Sequence, residues 1–85
     1  MSLRALIVDD ESDARENLRI MLEDNCPDVL VVAQAGSAEQ ARTLIEEHKP
    51  QVLFLDIKMP GEDGFSLLRS VAHLELPVVF TTAYD

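Results

Sequence analysis

A single cysteine, Cys26, leaves this chain without any internal disulfide. Secreted domains of this size usually depend on several such bridges. Basic residues are scarce: seven Lys and Arg stand against sixteen Asp and Glu, a formal net charge of -9. Neutralising phosphates needs a basic excess, so the balance argues against a nucleic-acid surface and against an anionic membrane surface. No apolar run approaches the ~20 residues of a membrane span. After Met1-Ser2-Leu3-Arg4 comes a short strand-like run and then three acids. A secretory leader would show a longer apolar stretch and a small-residue cleavage site. A reducing, cytoplasmic setting is the expectation. Internal repeats, low-complexity stretches and linkers are absent too.

What is present suits a folded domain. Hydrophobic residues make up 47% of the 85 positions, an ordinary share for a globular chain. A single domain over residues 1–85 is expected, with a modest core burying roughly 60–65% of the unfolded surface. The apolar period switches repeatedly along it. Leu3–Val8 is a short, nearly continuous apolar run, broken only by Arg4, that suits a strand covered on both faces. Ser12 or Asp13 then offers a cap for a helix whose apolar face is Ala14, Leu18, Met21 and Leu22. Asn25-Cys26-Pro27-Asp28 breaks it. Val29–Ala33 is a second strand. Ser37 and Gln40 fit a capping box for a second helix, faced by Ala38, Ala41, Leu44 and Ile45 and ended at Lys49-Pro50. Val52–Leu55 is a third strand, Pro60-Gly61 a turn, and Asp63 a cap for a third helix with Phe65, Leu68, Val71 and Ala72 inward. Val78-Val79-Phe80 is a fourth strand, closing with Thr81-Thr82. The order β-α-β-α-β-α-β implies an α/β fold with a parallel sheet.

The acids fall at strand ends. Asp9 and Asp10 follow the first strand, and Asp56 ends the third. In open α/β sheets, ligands sit outside the carboxyl ends of the strands. If the first and third strands are neighbours, three carboxylates share one crevice, and a divalent cation would offset their repulsion. An all-oxygen set without His or Cys selects Mg²⁺ or a similar hard ion over zinc. Two chemistries fit a metal beside such a carboxylate: metal-assisted hydrolysis, and an aspartate that accepts a phosphoryl group. Thr81 and Thr82 end the fourth strand beside that crevice, where a hydroxyl can meet a phosphoryl oxygen. Taken singly, each acid reads equally well as a helix cap or turn former; the spacing of the set is what is specific.

Three stretches resemble, in order and spacing, the bacterial receiver domain of two-component signalling. They are Leu6-Ile7-Val8-Asp9-Asp10-Glu11, then Val52–Leu55 with Asp56-Ile57-Lys58-Met59-Pro60-Gly61-Glu62-Asp63-Gly64-Phe65, then Val79-Phe80-Thr81-Thr82-Ala83. The ending Phe80-Thr81-Thr82-Ala83-Tyr84-Asp85 looks most like receivers of the LytTR group, which carry a DNA-binding output domain. The resemblance implies a flavodoxin-like, doubly wound parallel sheet. Asp56 would be the phosphoacceptor, taking its phosphoryl group from a sensor histidine kinase or a small phosphodonor. Asp10 and Asp56 would bind Mg²⁺ directly, Asp9 mainly through water, and the backbone carbonyl of Lys58 would be the third protein ligand. Thr82 would be the switch hydroxyl and Thr81 an ordinary strand residue. Met59-Pro60 and Gly64 would shape the loop after the acceptor.

Receivers of this family have five strands in the order 2-1-3-4-5, and this sequence stops after the fourth. The expected order is therefore 2-1-3-4, without the final helix-strand-helix and its phosphoryl-contacting lysine. An open edge at Val78–Thr82 would follow, with apolar side chains of the first and third strands uncovered. Association as a homodimer or domain-swapped oligomer is then expected. DNA would be contacted only through an output domain outside these residues. Two alternatives compete with the signalling switch. One is a dimerisation or binding module that has lost phosphorylation. The other is a metal-dependent phosphohydrolase, disfavoured because haloacid-dehalogenase phosphatases place a second aspartate where Lys58 stands.

Overall fold

A computed structural model describes residues 2–59 and 64–81. Strands β1 (Leu3–Val8), β2 (Val29–Ala35), β3 (Val52–Leu55) and β4 (Val78–Phe80) alternate with helices α1 (Ser12–Asn25), α2 (Ala38–His48) and α3 (Gly64–Val71). A short 3₁₀ turn, Ala72–Leu74, follows α3. All neighbouring strands pair in parallel, in the order β2-β1-β3-β4. This is the flavodoxin-like arrangement expected, with four strands among the described residues.

The order reverses direction at β1. With right-handed crossovers, that reversal places α1 on one face of the sheet and α2 and α3 on the other. Leu6, Val8, Leu53 and Leu55 point to the second face and join Ala35, Ala38, Ala41, Ile45, Leu67 and Val71 in the main core. Ala5 and Ile7 point the opposite way and are also buried, as is Leu22 of α1. From Ala5 to Val8, β1 is an apolar run covered on both faces, whereas β3 is covered fully on the α2–α3 side and its Phe54, on the other, is half-buried.

Several sequence expectations change in detail. β2 runs two residues further than expected, to Ala35, whose backbone carries on pairing with Val8. Gln34 is tolerated there because β2 is an edge strand. Its register steps from Ala5–Val31 to Leu6–Ala33, a bulge that leaves Val32 unpaired. Neither Ser12 nor Asp13 caps α1: the N-cap is Glu11, because the Asp9 carboxylate accepts the Glu11 N–H at 2.9 Å and closes a short Asx-type turn. Asp63 lies outside the described residues. α3 buries Gly64, Leu67 and Val71, while Phe65 and Ala72 are exposed; the helix begins at a pinned Gly64, which turns its apolar stripe by one position. The expected exposure of β1 is absent, since α1 lies over it. Exposure falls instead on Met21, Val79 and Phe80, with Phe54 half-buried.

At α2 the capping chemistry is as expected on one side. Ser37 Oγ accepts from the Gln40 N–H at 3.1 Å, but Gln40 Oε1 reaches back to the N–H of Gly36, at 2.7 Å. The helix ends with Lys49 in the left-handed region, φ 46°. Its last carbonyls find a partner outside the helix: the Arg4 guanidinium donates to the carbonyls of His48 and Lys49. The single charge inside the first strand thus ties β1 to the end of α2.

Candidate functional site

The strand-order reversal sits between β1 and β3, and the carboxyl ends of both strands face the same rim. The Asp56 N–H donates to the Val8 carbonyl at 2.9 Å, which ties the tip of β3 to the tip of β1. The Asp9 N–H donates to the Ala35 carbonyl at 3.0 Å, which ties β1 to β2. These backbone bonds bring the acids together. Carboxylate oxygens of Asp9, Asp10 and Asp56 all lie within 4.8 Å of one another. Asp9 and Asp56 are half-buried and Asp10 is exposed. Asp56 Oδ1 accepts the Lys58 N–H at 3.0 Å, so the loop after β3 folds back over its carboxylate. Among the described residues the Asp10 side chain has no hydrogen-bond or ion-pair partner.

Like charges this close are costly. At 4 Å a pair repels by about 1 kcal/mol in water and about 4 kcal/mol at the effective dielectric of a protein surface. The Asp9 carboxyl is held above the ordinary carboxylate range. Burial is the largest cause; the Glu11 N–H opposes it, and the charges of Asp56, Asp10 and Glu11 add to it. Folding thus favours protonated Asp9. Its contribution to stability is full below the ordinary value, about 3.9, and is lost as pH rises through the raised native one. Without divalent ions, Asp9→Asn should therefore gain urea resistance relative to the parent as pH rises from about 4 to about 7. Saturating Mg²⁺ should shrink or reverse that gain, and equal midpoints across the range would refute it.

The donor set fits a hard cation. Three carboxylates converge, and no His or Cys belongs to the cluster. Lys58 is exposed and directly follows the bend at Ile57. Thr81 is half-buried at the end of β4, its N–H donating to the Leu55 carbonyl at 2.9 Å. It lines a shallow groove with Asp9, Ala14, Leu18 and Met21. Thr82, the expected switch hydroxyl, lies outside the described residues, as does the Pro60-Gly61 turn.

Gly64 holds the loop from its far side. Its N–H donates to the Ile57 carbonyl at 3.0 Å. A Cβ there would stand 2.8 Å from Ile57 Cα and 3.2 Å from the Asp56 carbonyl oxygen. Sequence reading passed over Arg15, whose Nη1 donates to the Asp9 carbonyl at 2.6 Å. A signal was present: a cation near the start of α1 runs against the helix dipole, and such local violations concentrate at functional sites.

Comparison with known proteins gives a consistent result. The chain is 42% identical over 85 residues to the sensory transduction protein LytT of Enterococcus faecalis. It is 40% identical over 84 residues to the transcriptional regulatory protein BtsR of Salmonella typhi. Each match takes in 98% of this chain but only 35% of the relative, so the chain spans about a third of their length. Among solved structures, the REC domain of the response regulator AraT from Geobacillus stearothermophilus superposes with a TM-score of 0.88 at 36% identity, covering 100% of this chain and 67% of that one. A LuxR-family two-component response regulator from Aurantimonas gives 0.91 at 28% identity, covering 100% of this chain and 61% of that one. The family model for the response regulator receiver domain matches residues 5–85, and the chain belongs to that family.

Proposed function

We propose that residues 1–85 are the N-terminal portion of a receiver domain in which Asp56 accepts a phosphoryl group from a sensor histidine kinase or a small phosphodonor. The convergence of Asp9, Asp10 and Asp56 within 4.8 Å carries this reading. An Asp56 carboxylate oxygen attacks phosphorus, and the bond from phosphorus to the donor imidazole nitrogen breaks. The electron pair returns to that nitrogen, which takes up a proton, and an acyl phosphate is left on Asp56. Asp10 and Asp56 would hold Mg²⁺ directly, Asp9 through water, and the Lys58 carbonyl would complete the protein ligands. The ion, when bound, supplies positive charge against the phosphoryl oxygens. Asp9 and Asp10 orient it, and the Lys58 N–H steadies the Asp56 oxygen that it contacts. The Thr82 hydroxyl is assigned to the incoming phosphoryl group. The role is a switch, biasing a conformational equilibrium read by an output partner. By likeness to BtsR, a transcriptional regulatory protein, that output is transcriptional control, which we assign to a DNA-binding domain outside these residues and to the cytoplasm. Uptake of one phosphoryl group from acetyl phosphate, dependent on both Mg²⁺ and Asp56, is the test.

A second reading, a module that associates without phosphorylation, draws support from β4. Val79 is 46% and Phe80 53% exposed, and no strand flanks β4 on its outer side among the described residues. Light scattering behind size exclusion should show this 85-residue chain as a dimer or larger, and Val79→Lys should return it to monomer. A parent chain that stays monomeric at high concentration refutes association.

A further inference from the structure

We infer that Arg15 is a positioning residue for the acidic cluster, an inference that rests on the metal reading of Asp9, Asp10 and Asp56. Asp9 is gripped at both ends of its own backbone. Its N–H is held by the last carbonyl of β2, from Ala35, and its carbonyl by Arg15 Nη1 at 2.6 Å. Arg15 is half-buried and forms no ion pair among the described residues. The guanidinium is thus committed to a carbonyl, not to a carboxylate, and the three acids stay available to a cation.

Gly36 makes room for this arrangement. A Cβ on Gly36 would lie 3.2 Å from Arg15 Nη1 and 3.9 Å from its Cζ. The Gly36 backbone is itself fixed, because its N–H is bonded to Gln40 Oε1 in the first turn of α2. Arg15 therefore wedges between the Asp9 carbonyl and the β2–α2 turn, and so sets where Asp9 starts the loop carrying Asp10.

Two effects of the guanidinium oppose each other. Its charge repels a divalent cation, while its hydrogen bond orders the ligands. Salt screens little inside a Debye length of about 8 Å, so the repulsion is moderated by the high dielectric of the water-exposed rim, and ordering of the ligands outweighs it. Groups that orient metal ligands typically change affinity by about 10–100-fold.

The test uses the intact chain, with Mg²⁺ binding followed by calorimetry and Mn²⁺ by electron paramagnetic resonance. Arg15→Gln should weaken both ions about tenfold, and Arg15→Lys, which keeps the charge but loses the planar fork, should fall between it and the parent. Gly36→Ala should weaken binding in the parent and add nothing in the Arg15→Gln background, the non-additivity of groups in contact. Far-UV circular dichroism establishes that each variant is folded, and Gly36→Ala tests the wedge even if Arg15→Gln is not. Unchanged or tighter binding by Arg15→Gln overturns the inference in favour of simple charge repulsion. A parent chain that binds neither ion overturns the metal reading itself, and the role of Arg15 with it.

Discussion

Asp56→Asn is expected to abolish phosphoryl uptake and, at the same time, to stabilise the metal-free protein. Incubated with acetyl phosphate and Mg²⁺, the parent chain should gain the mass of one phosphoryl group and the variant none. An amide in place of the carboxylate keeps the shape but is no nucleophile for phosphorus. It also removes one of three charges held within 4.8 Å. Even the weak repulsion found in water, about 1 kcal/mol at such distances, corresponds to about 4–8 °C in melting temperature for a domain of this size. The opposite signs make the experiment decisive. A variant that loses phosphorylation because it unfolds would melt earlier, not later. Phosphoryl uptake that survives in Asp56→Asn would remove Asp56 from the acceptor role.

Gly64→Ala should damage both stability and the site. The added methyl meets Ile57 Cα at 2.8 Å and the Asp56 carbonyl oxygen at 3.2 Å. These are backbone atoms and cannot rotate away as a side chain does. Either α3 lifts from β3 or the loop from Asp56 to Met59 moves. Overpacking of this kind costs about 1–3 kcal/mol. Leu67→Ala is the comparison, since Leu67 is fully buried in the same helix and its truncation costs about 2–5 kcal/mol by leaving a cavity. Leu67→Ala should lower the melting temperature with little change in Mg²⁺ affinity. Gly64→Ala should weaken Mg²⁺ binding as well, because the Lys58 N–H that reaches Asp56 lies on the displaced segment. Equal Mg²⁺ affinity in the two variants would show that Gly64 serves helix packing alone.

Much of this architecture is legible before any coordinates are seen. Four apolar runs of strand length, three helical stripes and the breakers between them place every element in order. The bounds of β1, β3 and β4 agree as well. Asp9, Asp10 and Asp56 stand out as a set, by their placement after the first and third strands, since each alone reads equally well as a cap or turn former. What stays hidden is three-dimensional. The inward face of α3 depends on where the helix begins, and Gly64 is set there by contact with a distant backbone rather than by its own propensity. Glu11 as the cap of α1 follows from where the Asp9 side chain turns. Arg4 looks like a flaw in a buried strand until its partners, the carbonyls of His48 and Lys49 far along the chain, are in view. Arg15 shows in the sequence only as a cation set against the helix dipole; its partner is a carbonyl, and carbonyls leave no mark there.

The bulge at Val32 has a consequence for the whole sheet. A parallel partner that slips by one residue exchanges its faces, so Val31 follows Ala5 to the α1 side while Ala33 follows Leu6 to the α2 side. It also bends the outer border of β2 and increases its local twist, which obstructs any newcomer strand. The opposite border, at β4, is straight and only three residues long. Two copies meeting there across a two-fold axis would consume both straight borders and leave only bent ones outside. Under the proposed association, strand addition among the described residues would end at a pair, and any larger species would need a different surface.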